Sequence, residues 1–182
     1  KNIKYLGNLK LAGEAIIDNK APIINKGLNE RLFWCALSTH NKENLFCLNV
    51  HRILKNTFSN LTTIIIPRHI NKVKNVQSIC KKLNLENQIL SNDEKIDENK
   101  DIIIINSYGK TSTYLNLCKS VFIGKSLIKK LKNVAGQNPI EAAKLGCKIY
   151  SGPYVYNFQE IYELLKENDI SEIINSENEL SN

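Results

Sequence analysis

The sequence contains no methionine, one tryptophan and four prolines among its 182 residues, and aromatic side chains make up only 7% of it. With so few aromatics and no recognisable nucleic-acid-binding motif, we expect no nucleic-acid partner. No apolar run approaches the roughly 20 residues that a membrane-spanning helix needs, and no secretory signal is visible. The composition, 42% hydrophobic, is that of an ordinary globular protein.

Disulfide and metal frameworks are also missing from the sequence. The five cysteines are an odd number, form no CxxC pair and mostly have apolar neighbours. This pattern predicts buried free thiols in a reducing compartment. Because no cluster of Asp and His side chains suggests a ligand set, we predict neither a metal nor a cofactor.

Acidic side chains are outnumbered, since 18 Asp and Glu face 25 Lys and Arg, and the formal net charge is +7. We interpret most of this excess as a compositional bias toward Lys, Asn and Ile. The other interpretation is attraction to an anion such as a nucleotide or an acidic lipid surface. Lys129, Lys130 and Lys132 fit a solvated face, with contact to anionic lipid as the alternative.

The pattern that is present is that of one α/β domain. Residues 1–30 show no strong hydrophobic period and are punctuated by glycine and proline, which predicts a linker segment. Residues 31–182 are long enough to bury a sizeable core and are predicted to form a single domain. Because the first residue is lysine and not methionine, we expect the chain to be a piece of a longer protein.

Short apolar runs alternate with amphipathic segments along this domain. Continuous apolar runs predict buried strands at 32–37, 62–66, 89–90, 102–105, 121–123 and 148–150. Helical spacing predicts helices at 43–55, 73–83, 113–118 and 158–168, and a further strand and the start of a helix within 170–182. This alternation implies right-handed crossovers and a Rossmann-like, doubly wound parallel sheet.

Small and polar residues follow five of the predicted strands. In an open parallel sheet ligands bind at the carboxyl ends of the strands, so we expect these residues to meet at one edge. They are Ser38, Thr39 and His40; Pro67, Arg68 and His69; residues 106–109; Gly124, Lys125 and Ser126; and Gly152 with Pro153.

The segment AGQNPIE at 135–141 is predicted to open a helix. Asn138 suits the N-cap, Pro139 the first helical position and Glu141 the capping-box position. Gly136 lets an anion approach free amides at the positive end of that helix, which predicts a phosphate site. From spacing alone, a capping box that only starts a helix explains Asn138 and Glu141 equally well.

Seven short motifs occur in a recognisable order. They are GNLK at 7–10, STH at 38–40 followed by Glu43, IIIPRH at 64–69, FIGKS at 122–126, AGQNPIE at 135–141, GP at 152–153 and NF at 157–158. In this order they resemble the C-terminal half of the 3-deoxy-D-manno-octulosonic acid (Kdo) transferases. The resemblance covers most of the chain, and several motifs in order are far more specific than any one alone.

The resemblance implies the C-terminal half of a GT-B glycosyltransferase, whose second Rossmann-like domain holds the donor CMP-Kdo. It implies an inverting transfer of Kdo to the lipid A precursor in lipopolysaccharide biosynthesis, at the cytoplasmic face of the bacterial inner membrane. The family's acceptor site and catalytic carboxylate lie in its N-terminal domain. We therefore expect this chain alone to bind the donor and to transfer little or nothing.

The resemblance also implies a set of donor-binding residues. Glu141 is expected to accept hydrogen bonds from the ribose hydroxyls, Asn138 to shape the phosphate pocket, and Arg68 to meet the phosphate through its planar guanidinium. The full predicted set is Ser38, Thr39, His40, Arg68, His69, Gly124, Ser126, Gly136, Gln137, Asn138 and Glu141.

Simpler roles compete with these. A surface ion pair would explain Arg68, a loop hydrogen bond would explain His69, and helix capping would explain the residues at 38–40. We favour a binding role for Arg68, because it follows a buried strand and a proline. His51, inside a predicted helix, is expected to be structural.

The sequence departs from the family's pattern at five positions. Ala135 replaces a glycine, Gln137 replaces a histidine, Lys125 stands where glycine is frequent, Asn106 replaces an aspartate, and Lys110 stands where glutamate is frequent. Because glutamine does not titrate, Gln137 cannot serve as an acid. Two other functions stay open: a non-catalytic nucleotide-binding module, and a GT-B enzyme that uses a UDP-sugar.

Overall fold

The computed structural model describes residues 28–91 and 94–182. Most of the predicted linker, residues 1–27, and the GNLK motif within it lie outside the described residues. Leu28 is buried in the hydrophobic core. The packed part of the chain therefore includes residues that precede position 31.

Strands and helices alternate along the described residues, as predicted. The strands are β1 (Leu32–Thr39), β2 (Leu61–Pro67), β3 (Asn87–Leu90), β4 (Ile102–Ile105), β5 (Ser120–Ile123), β6 (Lys148–Ser151) and β7 (Ser171–Ile173). The α-helices are α1 (Asn41–Lys55), α2 (Val73–Lys82), α3 (Thr111–Leu115), α4 (Ile140–Lys144), α5 (Gln159–Glu167) and α6 (Glu177–Ser181). Short 3-10 helices occupy Ile70–Lys72, Lys129–Val134 and Tyr156–Phe158.

All seven strands of the described chain pair in parallel in one sheet, in the order β3-β4-β2-β1-β5-β6-β7. The chain first completes one side of the sheet, where β4 lies between β2 and the edge strand β3, and then returns to the other side of β1 to begin β5. The winding direction thus reverses between β1 and β5, which is the switch point where such folds bind ligands. The prediction of a Rossmann-like, doubly wound parallel sheet is confirmed.

Both faces of the sheet are covered by helices. Along β1, Phe33 and Cys35 point into the core that contains residues of α3, α4 and α5, whereas Trp34 and Ala36 point into the core that contains residues of α1, α2 and α6. Because both faces are buried, strands such as Ile102–Ile105 are apolar at every position. All five cysteines lie in the described part, and each is buried and free, as predicted.

The predicted start of α4 was one residue too early. The helix begins at Ile140 with Pro139 as N-cap, because the Pro139 carbonyl accepts the first helical bond, from the Ala143 amide at 3.0 Å. The Asn138 side chain still accepts a hydrogen bond from the Ile140 amide at 3.0 Å, which is the kind of bond predicted for it. The predicted helix at 113–118, in contrast, begins earlier than predicted, at Thr111.

Candidate functional site

The loops that follow β1, β2, β5 and β6 interlock at one edge of the sheet, which we call the carboxyl edge. The Arg68 amide donates to the Thr39 carbonyl at 3.0 Å, which ties the end of β2 to the end of β1. On the other side, the Gly124 amide donates to the Leu37 carbonyl at 2.8 Å. The carboxyl edge is therefore a connected surface centred on the switch point.

The Glu43 carboxylate organises the loop after β5. It reaches from the first turn of α1, is only 1% exposed, and accepts hydrogen bonds from four backbone amides. Those amides are His40 at 3.0 Å, Lys125 at 2.8 Å, Ser126 at 2.9 Å and Leu127 at 3.1 Å. Such a ring of amides is an anion-binding nest, and here the protein's own carboxylate fills it.

Glycine allows the loops to approach this closely. A Cβ on Gly124 would lie 2.6 Å from the Ser38 carbonyl oxygen and 2.7 Å from the Thr39 Cα, so any side chain there would push β1 and β5 apart. Gly152 is equally constrained, because a Cβ would overlap the backbone of Ser126. Both glycines are required by contact between backbones.

Ser126 is fully buried and joins the loops after β5 and β6 by hydrogen bonds. Its hydroxyl donates to the Ile123 carbonyl at 2.6 Å and accepts from the Gly152 amide at 2.8 Å. Its carbonyl accepts from the Tyr154 amide at 3.0 Å. The hydroxyl is thus engaged within the protein and shapes the carboxyl edge from beneath.

The segment 135–139 packs against both neighbouring loops. The Gly136 amide donates to the Lys125 carbonyl at 2.9 Å, and its φ of +91° lets it pass closely over Val155. The Tyr162 hydroxyl donates to the Gln137 carbonyl at 3.3 Å, which fixes the next peptide. This segment therefore continues the carboxyl edge beyond β5.

Glu141, in the first turn of α4, is exposed, and no reciprocal capping bond from its side chain is seen in the described residues. Its pKa is raised, because neighbouring atoms remove part of the hydration of its carboxylate. The carboxylate stays free to accept hydrogen bonds from a ligand.

Four basic groups gather at the carboxyl edge. The rings of His40 and His69 meet edge to face with centroids 6.0 Å apart. The pKa of His40 is lowered chiefly by burial; the Glu43 carboxylate opposes this, and the charges of His69, Lys125 and Arg68 add to it. Neither Arg68 nor Lys125 forms an ion pair with any described residue. The edge thus presents Arg68 and Lys125 with no ion-pair partner among the described residues.

The comparisons with known proteins agree with this geometry. No model of a protein family matches the chain. The 3-deoxy-D-manno-octulosonic acid transferase of Haemophilus influenzae is 31% identical over 138 residues, which cover 76% of this chain and 31% of that protein. The corresponding transferases of Rickettsia typhi and Aquifex aeolicus are 28% and 25% identical, over 97% and 99% of this chain.

A solved structure has the same fold. The C-terminal CMP-Kdo binding domain of WaaA from Acinetobacter baumannii superposes with a TM-score of 0.76 at 25% identity, over 84% of this chain and 78% of that domain. The chain is homologous to the C-terminal domain of the Kdo transferases. It spans 31% to 46% of the length of the three transferases named above.

The residues predicted from Kdo transferase motifs are brought together only in part. Arg68 and Gly136 lie on the same carboxyl edge, linked through Thr39, Gly124 and Lys125 by the contacts described above. Gln137, Asn138 and Glu141 extend it from Gly136, and His40 and His69 lie beside Arg68. The Thr39 side chain is buried and donates to Asn44, so it serves the interior of the protein.

Some features of this Kdo transferase homologue escaped the predictions. Glu43 entered only as part of a motif, although its position three residues after His40 is the spacing of a capping residue that reaches back. A groove of about 1010 Å³ also lies away from Arg68 and Gly136. It is lined by Lys42, Glu43, Phe46, Leu127, Ile128, Lys129, Lys130, Lys132, Asn133, Asn175 and Glu177.

Among the described residues, no group of three or more His, Cys, Asp or Glu side chains is placed to hold a metal ion. None of the helices there is long and apolar enough to cross a membrane.

Proposed function

We propose that this chain is the donor-binding domain of a Kdo transferase, which transfers Kdo from CMP-Kdo to the lipid A precursor in lipopolysaccharide biosynthesis. The observation that carries the proposal is the basic carboxyl edge, with Arg68 and Lys125 unpaired among the described residues, in a fold homologous to a CMP-Kdo binding domain. The acceptor site and the catalytic carboxylate belong to an N-terminal domain. The complete enzyme works at the cytoplasmic face of the bacterial inner membrane.

The donor phosphate lies between Arg68 and the segment that starts at Gly136. A guanidinium matches phosphate oxygens with two parallel hydrogen bonds, and the loop supplies backbone amides. Glu141, one turn further, accepts hydrogen bonds from the ribose hydroxyls. As the glycosidic bond breaks with inversion, negative charge grows on the phosphate, and these fixed donors stabilise it.

Gly124 and Ser126 act through the shape of the carboxyl edge. The amides of Lys125 and Ser126 are bound by Glu43, so the loop after β5 has no free amide nest for a phosphate at these positions. The role of the loop after β5 is to hold His40 and Lys125 in place around the ligand. Asn138 acts similarly, because its side chain holds the amide of Ile140.

Calorimetry with CMP tests the proposal. We expect Arg68→Gln and Glu141→Gln each to weaken CMP binding about tenfold or more, since each removes a charge-assisted hydrogen bond. Arg52→Gln and Glu167→Gln, at exposed positions near the ends of α1 and α5, are matched controls and should bind as the wild type does. Equal binding by all four variants would refute the assigned site.

The choice of nucleotide separates the alternatives. A Kdo transferase domain should bind CMP more tightly than UMP or UDP, whereas an enzyme that uses a UDP-sugar should prefer UDP. A non-catalytic module would bind CMP but give no transfer from CMP-Kdo when joined to an N-terminal transferase domain. Calorimetry measures the nucleotide preference, and a radiolabel assay measures transfer by the chain joined to an N-terminal transferase domain.

The lysine-lined groove is the part of the surface that we propose meets anionic lipid. The groove is lined by four lysines and by three apolar side chains: Lys42, Lys129, Lys130 and Lys132, and Phe46, Leu127 and Ile128. A lysine near an anionic bilayer contributes about 1 kcal/mol of attraction. Sedimentation with phosphatidylglycerol vesicles should fall in a Lys129→Gln, Lys130→Gln, Lys132→Gln variant and persist in a Lys74→Gln, Lys81→Gln, Lys82→Gln variant of α2.

A further inference from the structure

Non-glycine residues with positive φ mark two kinds of place in the described chain. Asn84 and Asp169 have φ of 54° and 57°, and each directly follows the C-cap of a helix, where Asn and Asp are well tolerated. Ser38 and Lys125 have φ of 54° and 58°. Ser38 lies at the end of β1 and Lys125 lies just after β5, and these two strands flank the switch point. Helix capping does not explain this second pair.

Lys125 is the less expected of the two. A long side chain is disfavoured in the left-handed region, where glycine is at ease. The loop conformation does not depend on the lysine side chain, because the backbone is held at both polar groups: the amide donates to Glu43 at 2.8 Å and the carbonyl accepts from Gly136 at 2.9 Å. The loop would hold this conformation with glycine at position 125, so the presence of a strained lysine indicates that its side chain has a function.

The surroundings of Lys125 indicate what that use is. Arg68, His40 and His69 lie on the same carboxyl edge, and the charges of Lys125 and Arg68 both reach His40. The carboxylate of Glu43, which accepts from the Lys125 amide, is taken by four amides in all. Like charges held together repel one another, and an anion bound between them relieves the repulsion.

We propose that Lys125 is an additional phosphate-binding residue of this site, and that its ammonium contacts the phosphate of the bound nucleotide opposite Arg68. This rests on the proposed function for the identity of the nucleotide, and on the geometry of the carboxyl edge for the phosphate itself. Lys125 contributes a point charge, whereas Arg68 contributes a fork of directed donors.

The test uses four variants of the whole chain and two probes, CMP and inorganic phosphate. Lys125→Asn removes the charge and keeps a residue that tolerates positive φ. Lys125→Gly removes the charge and the strain, and Lys125→Arg keeps the charge. Lys119→Asn, an exposed lysine just before β5 at the opposite edge of the sheet, is the matched control.

We expect Lys125→Asn and Lys125→Gly to raise the dissociation constant for CMP about tenfold at low salt, and the difference to shrink at about 0.5 M salt because the attraction is screened. Lys125→Arg should stay within about threefold of the wild type, since the charge is retained. Lys119→Asn should bind unchanged. Thermal unfolding of Lys125→Gly should begin no lower than that of the wild type, because glycine relaxes the loop.

The two probes separate this inference from the proposed function. If CMP binds the wild type and Lys125→Asn equally, the role of Lys125 is refuted and the function stands. If the wild type binds phosphate but not CMP, and Lys125→Asn loses the phosphate, the function is refuted and Lys125 is upheld. If the wild type binds neither probe, both are refuted.

Discussion

The Glu43 carboxylate accepts a hydrogen bond from the Ser126 amide at 2.9 Å, across a separation of 83 residues in the sequence. This contact joins the first turn of α1 to the loop after β5, the two elements on either side of the switch point. The same carboxylate also holds the amides of His40 and Lys125. One buried side chain thus determines where several groups of the carboxyl edge lie.

Substitution of Glu43 should be costly for stability. We expect Glu43→Gln to lower the free energy of unfolding by about 2 kcal/mol, because an amide offers one oxygen where the carboxylate offered two and turns an NH₂ donor toward amide donors. Glu43→Ala should cost about 3 kcal/mol or more, since the amides lose their acceptor in a buried place. Urea unfolding followed by circular dichroism measures both values.

The control for Glu43 is Glu167→Gln, an exposed carboxylate in the last turn of α5. We expect it to change stability by less than about 0.5 kcal/mol, as surface substitutions usually do. A Glu43→Gln protein as stable as this control would show that the carboxylate does not hold the loop.

Gly124 should tolerate no side chain. We expect Gly124→Ala to cost about 3 kcal/mol and to weaken CMP binding, because its Cβ would lie 2.6 Å from the Ser38 carbonyl oxygen and force β1 and β5 apart. Gly109→Ala is a useful comparison: its φ is +81°, but a Cβ there meets nothing within 4 Å. That variant should cost only about 1 kcal/mol of backbone strain. Equal losses in the two variants would contradict a steric role for Gly124.

Substitution of Ser126 distinguishes a structural role of its hydroxyl from direct contact with the ligand. Ser126→Ala removes the acceptor of the buried Gly152 amide, so we expect a loss of about 2 kcal/mol in unfolding free energy. Ser78→Ala, on the exposed face of α2, should change stability by less than about 0.5 kcal/mol. If Ser126→Ala were as stable as the wild type and lost CMP binding, Ser126 would contact the ligand instead.

The fold could be predicted almost completely from the sequence, because its signals are local. The four isoleucines at 102–105 favour a strand buried on both faces, and the amphipathic spacing in 43–55 favours a helix that covers such a sheet on one side. Element ends were less accurate. The start of α4 depended on which carbonyl accepts the first helical bond, that of Asn138 or that of Pro139, and spacing does not distinguish these cases.

The site could be predicted in part, because its elements are local but their contacts are not. The position of Arg68 directly after a buried strand placed it on the carboxyl edge, and the helix start at 135–141 predicted a phosphate site at Gly136. The occupation of the amide nest after β5 by Glu43 could not be predicted, because it depends on a contact between segments far apart in the sequence. Lys125, whose φ is 58°, donates its amide to that same carboxylate, so this contact too could not be predicted from the residues around position 125.

His51 predicts how stability depends on pH. It is fully buried within α1, its Nδ1 lies 2.8 Å from the Thr63 hydroxyl, and among the described residues its Nε2 has no hydrogen-bond partner. Burial lowers its pKa to about 4; the Asp101 carboxylate opposes this shift, and Lys55 and Arg31 add to it. The folded protein therefore holds this ring neutral at neutral pH.

The unfolded chain has a histidine of ordinary pKa, about 6.5. Above that pH both states are neutral at this residue and stability is unaffected. As the pH falls from 6.5 toward 4, the unfolded state binds a proton that the folded state does not, so stability is lost, by about 2 kcal/mol at pH 5. Urea unfolding at pH 7.5 and pH 5 should show this loss in the wild type and much less of it in His51→Gln, which cannot titrate. His40→Gln, the matched control, keeps His51 and should retain most of the loss; a His51→Gln protein that loses as much stability as the wild type would refute this account of His51.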